Sequence, residues 1–122
     1  MEEFETKDSG KRQEYDSGMH RDSQENKARF DLLIPEGMEY NYTLLYRWAM
    51  LMGRGAVKYG NRNWELAGSR VELDRFRQSA FRHFMQWFGN EEDEDHAAAV
   101  LFNINAVEFL KDKQRKANTY KA

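Results

Sequence analysis

The stretch Met38-Glu-Tyr-Asn-Tyr42-Thr-Leu-Leu45-Tyr-Arg-Trp48-Ala49-Met-Leu51-Met52-Gly-Arg-Gly55-Ala56-Val-Lys58-Tyr59 decides the fold class. Met38, Tyr42, Leu45, Ala49, Met52, Ala56 and Tyr59 recur at alternating spacings of four and three residues, which aligns them on one face of an α-helix. Leu44, Trp48 and Leu51 add a second stripe, so this helix is expected to be buried broadly or on two sides. Pro35 followed by Glu36 suits a first helical turn, where a missing N–H costs nothing and an anion is favoured. The spacing therefore predicts a helix from about Glu36 to Tyr59, closed by Gly60. Gly53 and Gly55 inside it cost about 1 kcal/mol each relative to alanine, a cost that a close helix crossing or a backbone approach to a ligand would explain.

Two more helices follow. Phe76, Ala80, His83 and Trp87 share a face over roughly Arg70 to Phe88, with Leu73, Phe84 and Phe88 beside it and Gly89-Asn90 after it. His96, Val100, Asn103, Val107 and Leu110 repeat at four and three, in a helix expected to begin within Glu91 to Asp95 and to run to about Gln114. The acidic run at its start and the basic residues from Lys111 onward complement the helix dipole. No strand pattern competes. The reading is all-α, a small bundle of three main helices at residues 29–116, with a polar N-terminal arm at 1–28 and a tail at 117–122. The arm has few large apolar side chains, so it either stays disordered or orders against another surface.

Composition narrows the function. The chain has 122 residues, enough for one domain with little core to spare. A formal net charge of −2 argues against a general nucleic-acid binder, which normally carries a basic footprint. The absence of cysteine excludes disulfides and thiolate metal sites. No apolar run approaches the ~20 residues needed to span a bilayer, and the polar N-terminus lacks the apolar core of an ordinary secretory signal. A cytoplasmic protein without membrane or nucleic-acid partners is expected. A short three-helix chain with two apolar stripes on its first helix has more apolar surface than it can bury alone, so a homo-oligomer is also expected.

The chemistry concentrates in Gly55-Ala-Val-Lys58-Tyr59-Gly-Asn-Arg62-Asn63-Trp64. Lys58, Arg62 and Asn63 offer donors, and Tyr59 and Trp64 offer flat apolar faces, the combination a phosphorylated, base-bearing ligand would use. A capped helix end with solvated cations is the plainer reading of the same residues. Arg82, with Lys27 and Arg29, completes the candidate phosphate-binding cations, since arginine forks favour bidentate contacts with phosphate. His83 and Asn103 sit in apolar seams, where a polar group requires a partner. That partner is either a bond inside the core or a ligand. Glu91, Asp95 and His96, with His83, are the candidate metal ligands, against a plain N-terminal capping role for the acidic run. Glycine-rich phosphate loops are absent.

These segments, taken in order, resemble a phage-associated family of dATP/dGTP diphosphohydrolases, N-terminal type, similar in turn to MazG-type all-α nucleotide pyrophosphohydrolases. The resemblance is carried by Arg21-Asp-Ser, Lys27-Ala-Arg-Phe-Asp-Leu-Leu33, Gly55 to Trp64, Ser79-Ala-Phe-Arg-His83, Trp87, and Glu91-Glu-Asp-Glu-Asp-His96 running on to Asn103. It implies a purine deoxynucleoside triphosphate ligand, cleaved with Mg2+ or Mn2+ to the monophosphate and pyrophosphate. Glu91 and Asp95 would be the catalytic carboxylates and, with His96, the metal ligands. Lys58, Arg62 and Arg82 would hold phosphates, and Tyr59 or Trp64 would stack on the base. MazG-type enzymes carry a Glu-x-x-Glu and a Glu-x-x-Asp pair where this chain has Ala80, His83, Val100 and Asn103, and many relatives have a second histidine where it has Ala99. A non-hydrolysing phage protein that sequesters a signalling nucleotide is the alternative those departures favour. A purely structural helical oligomer is the third reading, and it leaves Lys58 to Trp64 without a role.

Overall fold

A computed structural model describes residues 4–119, and the chain divides after Leu32 into two units. Residues 1–3 of the expected arm and 120–122 of the expected tail lie outside the described residues.

The first unit holds a feature that the sequence pattern did not announce, a short antiparallel hairpin of β1 (Arg12–Glu14) and β2 (His20–Asp22). Arg12 pairs with Asp22 and Glu14 with His20 in its register. Its strands are three polar residues each, exposed but for the half-buried Asp22, so no apolar alternation marks them. Polar contacts close it instead. The Ser9 hydroxyl donates to Asp22 at 2.6 Å, Lys27 pairs with Asp22 at 3.2 Å, and Lys11 pairs with Glu25 at 2.6 Å. Lys27 is thereby engaged locally, and Arg29 is held by Asp31 through two bonds of 2.9 and 2.7 Å.

The second unit is the helical bundle. Helix α1 spans Leu44–Tyr59, α2 Arg70–Phe88 and α3 His96–Thr119. The start of α1 lies eight residues beyond the expected Glu36, for a local reason. Gly37 adopts φ of 82°, which breaks any helix begun at Pro35, and a 3-10 turn at Tyr40–Tyr42 intervenes. The buried Thr43 then caps α1 by accepting the Tyr46 N–H at 3.2 Å. At the other end Gly60, with φ of 93°, donates its N–H to Ala56. Helix α2 has the expected bounds and opens on a reciprocal capping box between Ser69 and Glu72. Helix α3 starts at His96, the first residue after the acidic run and one beyond the expected window of Glu91 to Asp95, and it outlasts the expected Gln114, continuing through 117–119.

Helix α3 is the spine, packed by both α2 and α1. Leu73 of α2 and Val107 and Leu110 of α3 form the core with Ala67, and Phe76 packs against it. Ala98, Ala99 and Ala106 are buried on α3, small side chains that let its neighbours come close. Lys113 donates to the carbonyls of Glu65 and Ala67 at 3.0 and 2.8 Å, pinning the α1–α2 connection to α3. The two stripes of α1 do not bury it: no α1 residue is fully buried, and Leu44, Leu45, Met50, Val57 and Tyr59 are exposed. No side chain or backbone crowds Gly53 or Gly55, so neither marks a close helix crossing.

Candidate functional site

The C-terminal turns of α1 and the following 3-10 turn (Asn63–Leu66) wall a cavity of about 440 Å3. Lys58, Tyr59, Arg62, Asn63 and Trp64 all line it, together with Arg54, Gly55, Phe76 and Phe102. Arg62 sits in the left-handed region, φ 60°, which turns the chain back after Gly60 and brings Trp64 under α3. Trp64 meets Phe102 and Phe109 edge to face at 5.8 and 5.3 Å, so its indole is partly committed to packing. Tyr59 is the freer ring, exposed and with the Lys58 ammonium 5.1 Å from its centroid. Arg62 is exposed and bonds Glu65 at 2.8 Å, a solvated pair that a phosphate can displace at small cost. Arg54 was not among the sequence candidates, because a single arginine between two glycines carries no spacing signal.

A second cavity of about 380 Å3 shares Leu51, Arg54 and Phe102 with the first. Its other walls are Ser79, His83, Glu94, Asp95, Ala99 and Asn103. The structure brings together His83 of α2 and His96 of α3, with Nδ1 to Nδ1 at 2.9 Å, and seats Asp93 behind His96 with Oδ1 2.6 Å from Nε2. His96 is 2% exposed. Burial, then the Arg82 charge, pushes the His83 imidazole below its ordinary value, while Glu94 opposes the shift. The buried Asn103 satisfies its amide within α3, donating to the Ala99 carbonyl at 2.8 Å.

The acidic run divides by role. Asp95 receives a two-pronged bond from Arg47 of α1, at 2.9 and 2.7 Å, and accepts the Ala98 N–H at 3.2 Å. That guanidinium holds the Asp95 carboxyl below the usual carboxylate range. Its oxygens are thus engaged by a cation and a helix start, which leaves them poorly disposed to bind a second cation. Glu91 is exposed, and its N–H closes the turn after α2 by donating to the Gln86 carbonyl at 3.0 Å. Among the described residues the ligating atoms that converge belong to His83, Glu94 and His96, all within 4.8 Å of one another. Of the expected set of Glu91, Asp95 and His96, His96 alone belongs to this convergence. Arg82 is exposed and lines neither cavity; its influence here is electrostatic, on His83. Arg47 was missed because only the fold brings it to Asp95, while Asp93 and Glu94 lie in the acidic run, whose spacing does not say which carboxylate turns to the histidines.

No helix of the described residues is long and apolar enough to cross a membrane. A family model described as dATP/dGTP diphosphohydrolase, N-terminal, matches residues 17–119. No curated protein and no solved structure matches the chain.

Proposed function

Since the chain belongs to the dATP/dGTP diphosphohydrolase N-terminal family, we propose that it binds a purine deoxynucleoside triphosphate and cleaves it to the monophosphate and pyrophosphate. The observation that carries this reading is the adjacency of the two cavities. One is lined by cations and aromatic rings, the other by His83, Glu94 and Asp95, and both share Arg54 and Phe102. Tyr59 stacks on the base, where an aromatic face contributes about 1–3 kcal/mol. Lys58 and Arg62 hold the outer phosphates, and Asn63 orients the ligand from the same wall. Arg54, at the junction, counters charge developing on the phosphate that is attacked. A divalent ion supplies charge neutralisation in this chemistry. Glu94, exposed in the second cavity, is the carboxylate we assign to orient the attacking water. Assembly into a homo-oligomer and residence in the cytoplasm belong to the same proposal.

Nucleotide capture without cleavage is the second reading. It is favoured by the engagement of Asp95 with Arg47 and by the neutral residues at Ala80, Val100 and Asn103. Incubation of the protein with dATP or dGTP and a divalent ion, with the products resolved, separates the two. Monophosphate plus pyrophosphate, lost in Glu94→Gln while binding persists, is the outcome expected for hydrolysis. Intact nucleotide recovered from a tight complex supports capture. In either case Tyr59→Ala and Arg62→Ala each weaken binding about tenfold or more. Undiminished binding in both variants removes the first cavity from the site.

A further inference from the structure

We propose that His83, His96 and Glu94 form a binding site for a first-row transition-metal dication such as Zn2+, Co2+ or Fe2+, in preference to Mg2+. The inference stands on coordination geometry. As a hydrolytic centre the site would rest on the nucleotide chemistry above, but as an ion site it is tested without nucleotide.

The Nδ1 atoms of His83 and His96 are 2.9 Å apart. Two nitrogens bound at about 2.0–2.1 Å to one ion stand roughly 3.0–3.4 Å apart, so an ion needs the rings to part by only a few tenths of an ångström. The Asp93 carboxylate behind His96 fixes which nitrogen is free. It accepts from Nε2 at 2.6 Å, so in the neutral ring the proton is on Nε2 and the Nδ1 lone pair points at His83. A carboxylate behind a ligating imidazole is the usual second support of metal sites, setting tautomer and ring angle. Without an ion, His83 donates its Nδ1 proton to His96. On binding, that proton moves to Nε2 of His83, and both Nδ1 lone pairs serve the ion.

Glu94 is exposed and brings a carboxylate oxygen within 4.8 Å of a ring nitrogen of each histidine. Glu94 and His83 both line the 380 Å3 cavity, which gives solvent or a ligand access to an ion held there. Two imidazoles and one carboxylate with open positions suit borderline dications, whereas Mg2+ prefers an all-oxygen octahedron and gives up its waters reluctantly. His20, the remaining histidine, lies on the exposed hairpin and offers a control.

The full chain, stripped with a chelator, is titrated with Co2+, Zn2+ and Mg2+ by calorimetry, with the visible spectrum of the Co2+ form recorded. One equivalent of Co2+ or Zn2+ is expected to bind at least a hundredfold tighter than Mg2+, with a Co2+ spectrum showing nitrogen ligands. His83→Ala should abolish the spectrum, and His20→Ala should leave it unchanged. Asp93→Asn should weaken binding about 10–100-fold. Glu94→Gln changes only an exposed side chain, so its expected tenfold or greater loss is not confounded by misfolding. Binding that survives in both His83→Ala and Glu94→Gln, or Mg2+ binding as tight as Zn2+, overturns the site. Nucleotide turnover can fail with the ion still bound, which would remove the hydrolytic reading and leave this one standing.

Discussion

Asp95 joins two elements through one carboxylate, since it is bonded by Arg47 from α1 and caps the first turn of α3 through Ala98. The two contributions are separable by mutation. Asp95→Ala removes both and is expected to cost about 1–2 kcal/mol, mostly from the lost cap. Arg47→Ala removes only the ion pair, which solvent screens, and should cost under about 1 kcal/mol. Urea unfolding of both variants checks the order, and equal losses would mean that the cap contributes nothing. At this scale the residues that line the first cavity were the more legible half of the candidate site. Lys58, Tyr59, Arg62, Asn63 and Trp64 lie in one short segment, and one helix end with one left-handed turn places them around a common cavity. The histidine pair was legible in part: the sequence put His83 and His96 in one candidate metal set, but nothing local said that their rings meet directly or that Glu94 is the carboxylate beside them.

At the scale of elements, α2 was read to its observed ends because its signals are all local. Ser69 and Glu72 form the capping box, the apolar repeat sets its face, and Gly89 follows it. Ser69→Ala should therefore cost about 1 kcal/mol, measured as a fall in the thermal midpoint with the far-ultraviolet spectrum unchanged. Helix α1 shows the opposite case. Met38 and Tyr42 continue its stripe in register, yet Gly37 and the Thr43 cap end the helix before it reaches them. The hairpin depends on charge. The Ser9 hydroxyl, then Lys27, hold the Asp22 carboxyl below its ordinary value of 3.8. A depressed folded value means that the stabilisation is complete above the unfolded value and is lost as pH falls through the folded one. The hairpin should thus persist from neutrality to about pH 4 and open below 3.8, followed by the Ser9 amide resonance and cross-strand contacts in an acid titration. Opening already at pH 6 would remove Asp22 as its clasp.

At the scale of the bundle, the exposed apolar surface is what a lone protomer leaves unexplained. Helices α2 and α3 flank a groove of about 760 Å3 lined by Ala80, Phe81, Phe84, Val100 and Ile104, with Phe81 68% and Ile104 49% exposed. Asp74, Arg77 and Glu108 edge it with both signs of charge. Such a groove, apolar between charges of both signs, suits a self-complementary contact with a second copy. A second copy is the occupant we assign to it. Sedimentation at micromolar concentration should show a species larger than the monomer, shifted to monomer by Phe81→Asp with helicity unchanged. A wild-type monomer at that concentration would refute this assembly.

The sequence by itself determined the all-α class, the position of three helices and the segment after α1 that walls the first cavity. Helix periodicity, caps and glycine stops act over a few residues and can be read in order along the chain. Only the tertiary structure decided that Asp95 belongs to Arg47, that His83 meets His96 in front of Asp93, and that Glu94 converges with the two histidines. Those partners come from different elements or from the loop between them. Their distances are set by how α1 and α2 pack on α3, and packing leaves no mark in the spacing of any one helix.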